Sequence, residues 1–178
     1  MRVVLERSNL LKTLNHVHRV VERRNTIPIL SNVLLSASGS SLELKATDLD
    51  LEITEATAAA VEQGGATTVP AHLLYEIVRK LPDGSEVMLR MDADGNAMSV
   101  ISGRSSFRLQ CLPQSDFPEL SAGSFSHIFR VESAALRKLI DKTQFAISTE
   151  ETRYYLNGIF LHTHEAGGKL ALRSVATD

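Results

Sequence analysis

The sequence predicts an α+β fold of tandem similar domains, with helices packed on antiparallel β-strands. Three observations predict it. First, one block occurs twice. Residues 29–35 run into a Gly/Ser turn and return as 42–48, while residues 155–161 run into Glu165-Ala166-Gly167-Gly168 and return as 170–178. Both copies end in Ala-Thr-Asp, and each reads as a β-hairpin reversed at a glycine. Second, the likeness reaches upstream: Leu5-Glu6 followed by Leu10 and Leu14 matches Val131-Glu132 followed by Leu136 and Ile140. The paired asparagines, Asn32 and Asn157, lie 125 residues apart, the glutamates 126 and the aspartates 130. That drift is assigned to the hairpin tip, where insertions cost little. A period this long means tandem domains, since solenoid units run about 20–50 residues. Third, apolar residues recur at helical spacing in three stretches and at period two between them.

Residues 2–6 alternate and form a short strand. Ser8 is a suitable cap for the first helix, 7–24. Its core stripe is Leu10, Leu14, Val17 and Val21. A second stripe, Lys12, His16, Arg19 and Arg23, follows the same spacing. Such a face suits a polyanion, and equally it reads as an ordinary solvated face. Pro28 ends any helix, and the first hairpin follows. Residues 49–54 then alternate as a half-buried strand. That places Asp48, Asp50 and Glu52 on one face, where three carboxylates have the chemistry to hold magnesium.

Gly64-Gly65 turns the chain into a strand at 66–69, and Pro70 opens a helix over 71–80. Leu73, Leu74, Ile77, Val78 and Leu81 form its buried side; His72, Glu76, Arg79 and Lys80 lie elsewhere. Strands at 86–91, 97–102 and 106–112 are separated by Asp94-Gly95-Asn96 and Gly103-Arg104. Cys111 falls near the end of the last strand as a buried structural thiol. Pro113, Pro118 and the Ser/Gly stretch 121–126 close the first domain, 1–121, and a linker spans 122–128.

The second unit, 129–178, opens with Phe129 and continues as a helix over 133–147, with Leu136, Leu139 and Ile140 inward and Arg137, Lys138 and Lys142 elsewhere. Tyr154-Tyr155 enters the repeated strand, so one ring can pack while the other reaches outward beside Arg153. Core packing of both rings fits the local sequence as well. His162 and His164 share one strand face as a possible metal pair, without an evident third ligand. This copy lacks counterparts of the later strands and helix, and a chain ending inside a sheet leaves an unpaired edge. The sequence is therefore expected to be a piece of a longer protein.

Composition narrows the class. Of 178 residues, 43% are apolar, enough for a packed core. No run approaches the roughly 18 apolar residues of a membrane span. The N-terminus has no signal pattern, so a cytoplasmic home is expected. One cysteine excludes a disulfide framework and a cysteine-based zinc site. No Walker loop, dinucleotide glycine pattern, nucleophile elbow or zincin motif occurs. The net charge of −2 hides segregation: the helices carry +4, +1 and +2, leaving −9 on the rest. Basic helices and acidic strands set local fields that the total conceals.

Longer motifs carry a resemblance. Ser102-Gly103-Arg104-Ser105-Ser106-Phe107, Leu112-Pro113 and Asp116-Phe117-Pro118-Glu119-Leu120 resemble the first-domain ending of the bacterial DNA polymerase III beta sliding clamp family. Ala66-Thr67-Thr68-Val69-Pro70-Ala71, Thr143-Gln144-Phe145, Arg153-Tyr154-Tyr155-Leu156-Asn157-Gly158 and the Ala-Thr-Asp endings are similar as well. The resemblance implies a DNA-clamp fold of three similar domains, each with two helices inside and sheets outside. Two subunits would form a homodimer ring that slides on duplex DNA without catalysis or cofactor and tethers the DNA polymerase III catalytic subunit. It also implies a clamp loader as partner.

Carried over residue by residue, the resemblance implies DNA contact at Arg24, Tyr154 and Tyr155. His72 stands where some members have arginine and Glu150 where some have glutamine. Leu156 and Thr177 match the near half of a peptide-binding pocket, and Phe107 and Leu109 fall in the edge strand that meets the other subunit. Two rival functions remain expressible from the residues: a metal-dependent nuclease using Asp48, Asp50 and Glu52, and a non-DNA β-rich interaction module.

Overall fold

In a computed structural model of the protein, residues 1–22, 26–120 and 128–178 are described, apart from the side chains of Glu151, Ala166 and Lys169. Two compact units divide the chain, Met1–Ser121 and Ala122–Asp178.

In the first unit the apolar spacing of the sequence becomes two helices over two antiparallel sheets. The elements are β1 (Arg2–Glu6), α1 (Arg7–Val17), a 3-10 turn (Pro28–Ser31), β2 (Asn32–Ser38), β3 (Ser41–Thr47), β4 (Glu52–Ala58), β5 (Ala60–Gln63), β6 (Gly65–Pro70), α2 (Ala71–Lys80), β7 (Glu86–Met91), β8 (Ala97–Ser102) and β9 (Ser105–Gln110). One sheet has the order β5-β1-β7-β8-β9 and the other β4-β3-β2-β6. The inward faces meet around Leu10, Leu14 and Val17 of α1 and Leu74, Ile77 and Val78 of α2, with Val3, Leu35, Leu44, Leu89 and Val100 from the strands. Each such aliphatic side chain stabilises the unit by about 1.5–3 kcal/mol through burial.

Helix α2 spans the residues expected for it, because Pro70 fixes its entry and Pro82 stops it. Helix α1 is shorter than the expected 7–24. After Val17 the backbone tightens: Val20 N–H donates to the Val17 carbonyl and Val21 N–H to that of His18, at 3.4 and 3.2 Å. These are three-residue reaches in place of four, and they still bring Val20 and Val21 into the core. Ser8 does not cap the helix. Glu6 occupies the cap position without a side-chain cap bond, and the Ser8 hydroxyl donates to Glu6 Oε1 at 2.7 Å. Arg23, Arg24 and Asn25 lie outside the described residues.

The strand expected at 49–54 begins instead at Glu52. Asp48 Oδ1 accepts from the N–H groups of Asp50 and Leu51 at 3.0 and 2.7 Å, and Leu49 sits at φ 81°. The short acidic side chain imitates a backbone turn. Consequently Asp48, Asp50 and Glu52 do not line one strand face. The 106–112 strand is likewise shifted, to Ser105–Gln110, and Leu112 bridges singly to Thr68.

In the second unit, α3 (Ser133–Thr143), 3-10 turns at Gln144–Ala146 and Glu151–Leu156, and the hairpin β10 (Phe160–Ala166) and β11 (Lys169–Val175) follow one another. Helix α3 lies on β11, and Ser174 Oγ donates to the Leu139 carbonyl at 3.1 Å. Among the described residues of this unit only Ser148 is buried; Phe129, Phe145, Phe160 and Leu170 are largely exposed. The two hairpins share a tip of two residues, between Ser38 and Ser41 and between Ala166 and Lys169. The repeat drift therefore lies in the arms and not in the tip. From asparagine to tip glycine the second copy is three residues longer (Asn157 to Gly167 against Asn32 to Gly39).

Candidate nucleic-acid interface

The face of α1 turned away from the core carries Asn9, Lys12, His16 and, in the turn beyond, Arg19. Lys12 and Arg19 are exposed and have no ion-pair partner among the described residues. Long, unpaired cationic side chains on a stiff helix suit loose contact with a row of phosphates. His16 is tied down: its Nδ1 lies 2.7 Å from Glu55 Oε2 on β4.

Other cations counted toward the basic helices are committed elsewhere. Arg7 is a structural clamp with only 13% of its side chain exposed. Its Nε donates to the Val78 carbonyl at 3.1 Å, one terminal nitrogen donates to the Arg79 carbonyl at 2.7 Å, and the other pairs with Asp83. On α2, Glu76 holds Arg79 at 2.7 Å and Lys80 at 3.9 Å. The hydrogen bond to Glu76, and then its charge, push the Arg79 guanidinium above its usual range. On α3, Arg137 lies 3.6 Å from Asp141. Glu76 and Asp141 are already subtracted in the net charges of their helices, so of these pairs only Arg7 with Asp83, which lies outside the helices, lowers the helix total.

His72 does not project freely. Its ring is half-buried, with Nε2 2.8 Å from the Val21 carbonyl and the ring edge-on to His18 at 5.6 Å. Glu150 lies 3.1 Å from Arg153 Nε, so each charge compensates the other. Tyr154 and Tyr155 belong to the 3-10 segment Glu151–Leu156 and not to a strand. A kink at Arg153 (φ −111°, ψ 46°) interrupts that segment. Both rings stand out, 79% and 71% exposed, in an edge-to-face pair at 5.8 Å. The expected division into one packed and one projecting tyrosine does not occur, because a tight helical turn does not alternate sides as a strand does.

Leu156 is half-buried and its carbonyl accepts from Ser148 N–H at 3.2 Å, while Thr177 is exposed. Phe107 and Leu109 share one side of β9, the last strand of its sheet. Phe107 is 40% exposed beside Leu73, Ile77 and Leu81, whereas Leu109 is 1% exposed and belongs to the core.

The nuclease reading loses its geometry. Asp48 spends Oδ1 on its own turn, Asp50 is exposed on that turn, and Glu52 points to Lys45 at 3.3 Å. No group of three His, Cys, Asp or Glu able to hold a metal occurs among the described residues. His162 stacks on Phe160 at 5.2 Å with Nδ1 3.0 Å from the Thr163 carbonyl. Cys111 is half-buried, and burial raises its thiol pKa above the ordinary value. Sequence reasoning missed the aromatic junction of His18, Tyr75 and His72. Only His72 and Tyr75 share a helix, so no spacing could have disclosed the third partner. No described helix is long and apolar enough to cross a membrane.

A helix-on-sheet unit followed by a second copy of its hairpin, with cations on the outer helix surface, defines the class: a duplicated α+β clamp fold. The chain belongs to the DNA polymerase III beta subunit family, whose N-terminal domain matches residues 1–121 and whose central domain matches residues 130–178. It is 55% identical over 178 residues to the beta sliding clamp of Caulobacter vibrioides (strain NA1000 / CB15N). It is 41% identical over 180 residues to that of Escherichia coli (strain K12). All of this chain is covered, and 48% and 47% of those relatives. Among solved structures, a sliding clamp from Bartonella birtlesii bound to griselimycin superposes with TM-score 0.93 at 58% identity. The C. crescentus beta sliding clamp superposes at 0.95 and 55%. Each comparison covers 100% of this chain and 47% of the other. The chain spans about half the length of the relatives it matches.

Proposed function

We propose that the protein carrying this chain is a non-catalytic sliding clamp that encircles duplex DNA and tethers a replicative polymerase. The observation that carries the reading is the family match across both units, joined to unpaired Lys12 and Arg19 on the outer helix surface. In this reading residues 1–121 form one whole clamp domain, 122–128 a linker and 129–178 the front of a second domain. The apolar residues exposed in that second unit are then covered by the remainder of the domain.

The mechanism is topological. A closed ring stays on DNA because it has no free edge through which the duplex can leave. Its contacts need only be numerous, weak and blind to sequence. Lys12, Arg19 and Arg24 supply charge to phosphates, and Tyr154 and Tyr155 offer ring faces and hydroxyls to the backbone or exposed bases. Pairing with Arg153 removes the repulsion that Glu150 would exert. Leu156 and Thr177 form the near side of a pocket for short peptides of the polymerase and the clamp loader. The β9 edge joins a second subunit, with Phe107 as apolar contact and Leu109 holding the strand to the core. The assembly is a homodimer acting in the cytoplasm.

Retention on circular DNA tests the proposal. Full-length protein placed on a nicked plasmid by its loader should stay bound through gel filtration and be released when the plasmid is cut once. Retention on the linear product would contradict a topological hold.

A further inference from the structure

The tightened turn that follows α1 is held from outside, by α2. Its own backbone bonds are long: Arg19 N–H reaches the His16 carbonyl and Val20 N–H the Val17 carbonyl, both at 3.4 Å. Bonds of that length lie beyond the usual range and hold weakly. The shorter bonds come from side chains. His18 closes α1 twice, since its backbone N–H and its Nδ1 both meet the Leu14 carbonyl, at 3.0 and 2.6 Å. Nε2 of His72, near the start of α2, lies 2.8 Å from the Val21 carbonyl. A carbonyl only accepts, so His72 donates Nε2–H and ties Val21 to α2.

Tyr75 completes the hold. His72 and Tyr75 stand at i and i+3 and so share one side of α2. The Tyr75 ring stacks on His18 at 4.0 Å with planes 7° apart, and His72 meets His18 edge to face at 5.6 Å. Arg79, itself held by Glu76, lies 5.9 Å from the centre of the Tyr75 ring. Val20 and Val21 are buried, so within the turn His18–Val21 only Arg19 is exposed. Glu22 follows, exposed and without an ion-pair partner among the described residues.

We propose that His72 and Tyr75 are positioning residues for DNA binding: they pin the turn His18–Val21 to α2 and so fix the backbone from which Arg19 reaches a phosphate. This rests on the reading of Arg19 as a phosphate contact. A fixed backbone spares the long arginine side chain part of the ordering cost of binding. His72 acts through Arg19, because its ring is half-buried and its Nε2–H is spent on Val21.

The test uses the full-length protein, a short linear duplex and fluorescence anisotropy at constant pH and ionic strength. His72→Phe keeps a ring and removes the donor. It should weaken binding about threefold in the parent protein and leave the binding of Arg19→Ala unchanged, because coupled residues do not add. His72→Gln returns an N–H donor and should bind like the parent. Tyr75→Leu, which keeps apolar bulk without the stacked ring, should repeat the pattern of His72→Phe. Equal loss in the two backgrounds, or no loss in the parent, overturns the proposal. Hydrogen exchange in the free protein separates the pinning from the DNA reading: His72→Phe should speed exchange at residues 19–22 and leave the amides of β7 and β8 unchanged. Unchanged exchange at residues 19–22 overturns the pinning whether or not DNA binds. Faster exchange there, with binding indifferent to Arg19→Ala, overturns the reading of Arg19 as a contact.

Discussion

Leu49 is the residue at which local conformation departs most from the pattern of the sequence. It is an L-residue at φ 81°, held there by Asp48 and by its own N–H bond to Thr47 Oγ1 at 3.0 Å. Left-handed backbone costs a residue with a Cβ about 1–2 kcal/mol and costs glycine little. Leu49→Gly should therefore be more stable than Leu49→Ala by about 1 kcal/mol in urea unfolding. The usual order, alanine above glycine, would show that the turn does not demand this conformation. Cys111 gives a second residue-scale test. Because burial raises its thiol pKa, the thiolate is scarcer at any given pH than in an unperturbed cysteine. Alkylation by iodoacetamide should be slow at pH 8 and still rising through pH 9. A plateau reached by pH 8 would contradict the shift.

Elements were legible in the sequence where a stop signal reinforced periodicity. Helix α2 is bracketed by Pro70 and Pro82 and occupies its expected span. Helix α1 had no such stop, so its apolar stripe read on through Val21 although the backbone changes its bonding after Val17. The passage from β4 in one sheet to β5 in the other was illegible because Ala58-Ala59-Ala60 contains no turn residue; there Ala59 N–H is satisfied by the Ser40 carbonyl at 2.9 Å. The carboxylate row failed for a related reason, since the Asp48 side chain competes with the strand for its own backbone. Arg7 shows what charge counting misses. It reads as one more helix cation, yet it joins α1 to the last turn of α2. Arg7→Ala should destabilise the first unit by roughly 1–3 kcal/mol, because the part-buried Val78 carbonyl and the exposed Arg79 carbonyl both lose the guanidinium that joins them to α1. Arg7→Lys should recover only part of this, since an ammonium lacks the planar fork. Full recovery by lysine in thermal unfolding would show that charge alone matters there.

At the scale of the whole molecule, the long repeat announced tandem units, and the motifs around Phe107 and Tyr154 announced the family. Among the described residues Arg7, Arg79, Lys80 and Arg137 are paired, while Lys12 and Arg19 of α1 and its following turn are exposed without an ion-pair partner. The DNA contact proposed here therefore rests on a small number of side chains, and that makes it measurable. The salt dependence of duplex binding by the full-length protein tests it most directly. Lys12→Ala/Arg19→Ala should reduce the slope of log K against log salt by roughly 1.8 per subunit engaged, equally for unrelated DNA sequences. An unchanged slope, or a loss confined to one sequence, would place the duplex elsewhere on the molecule.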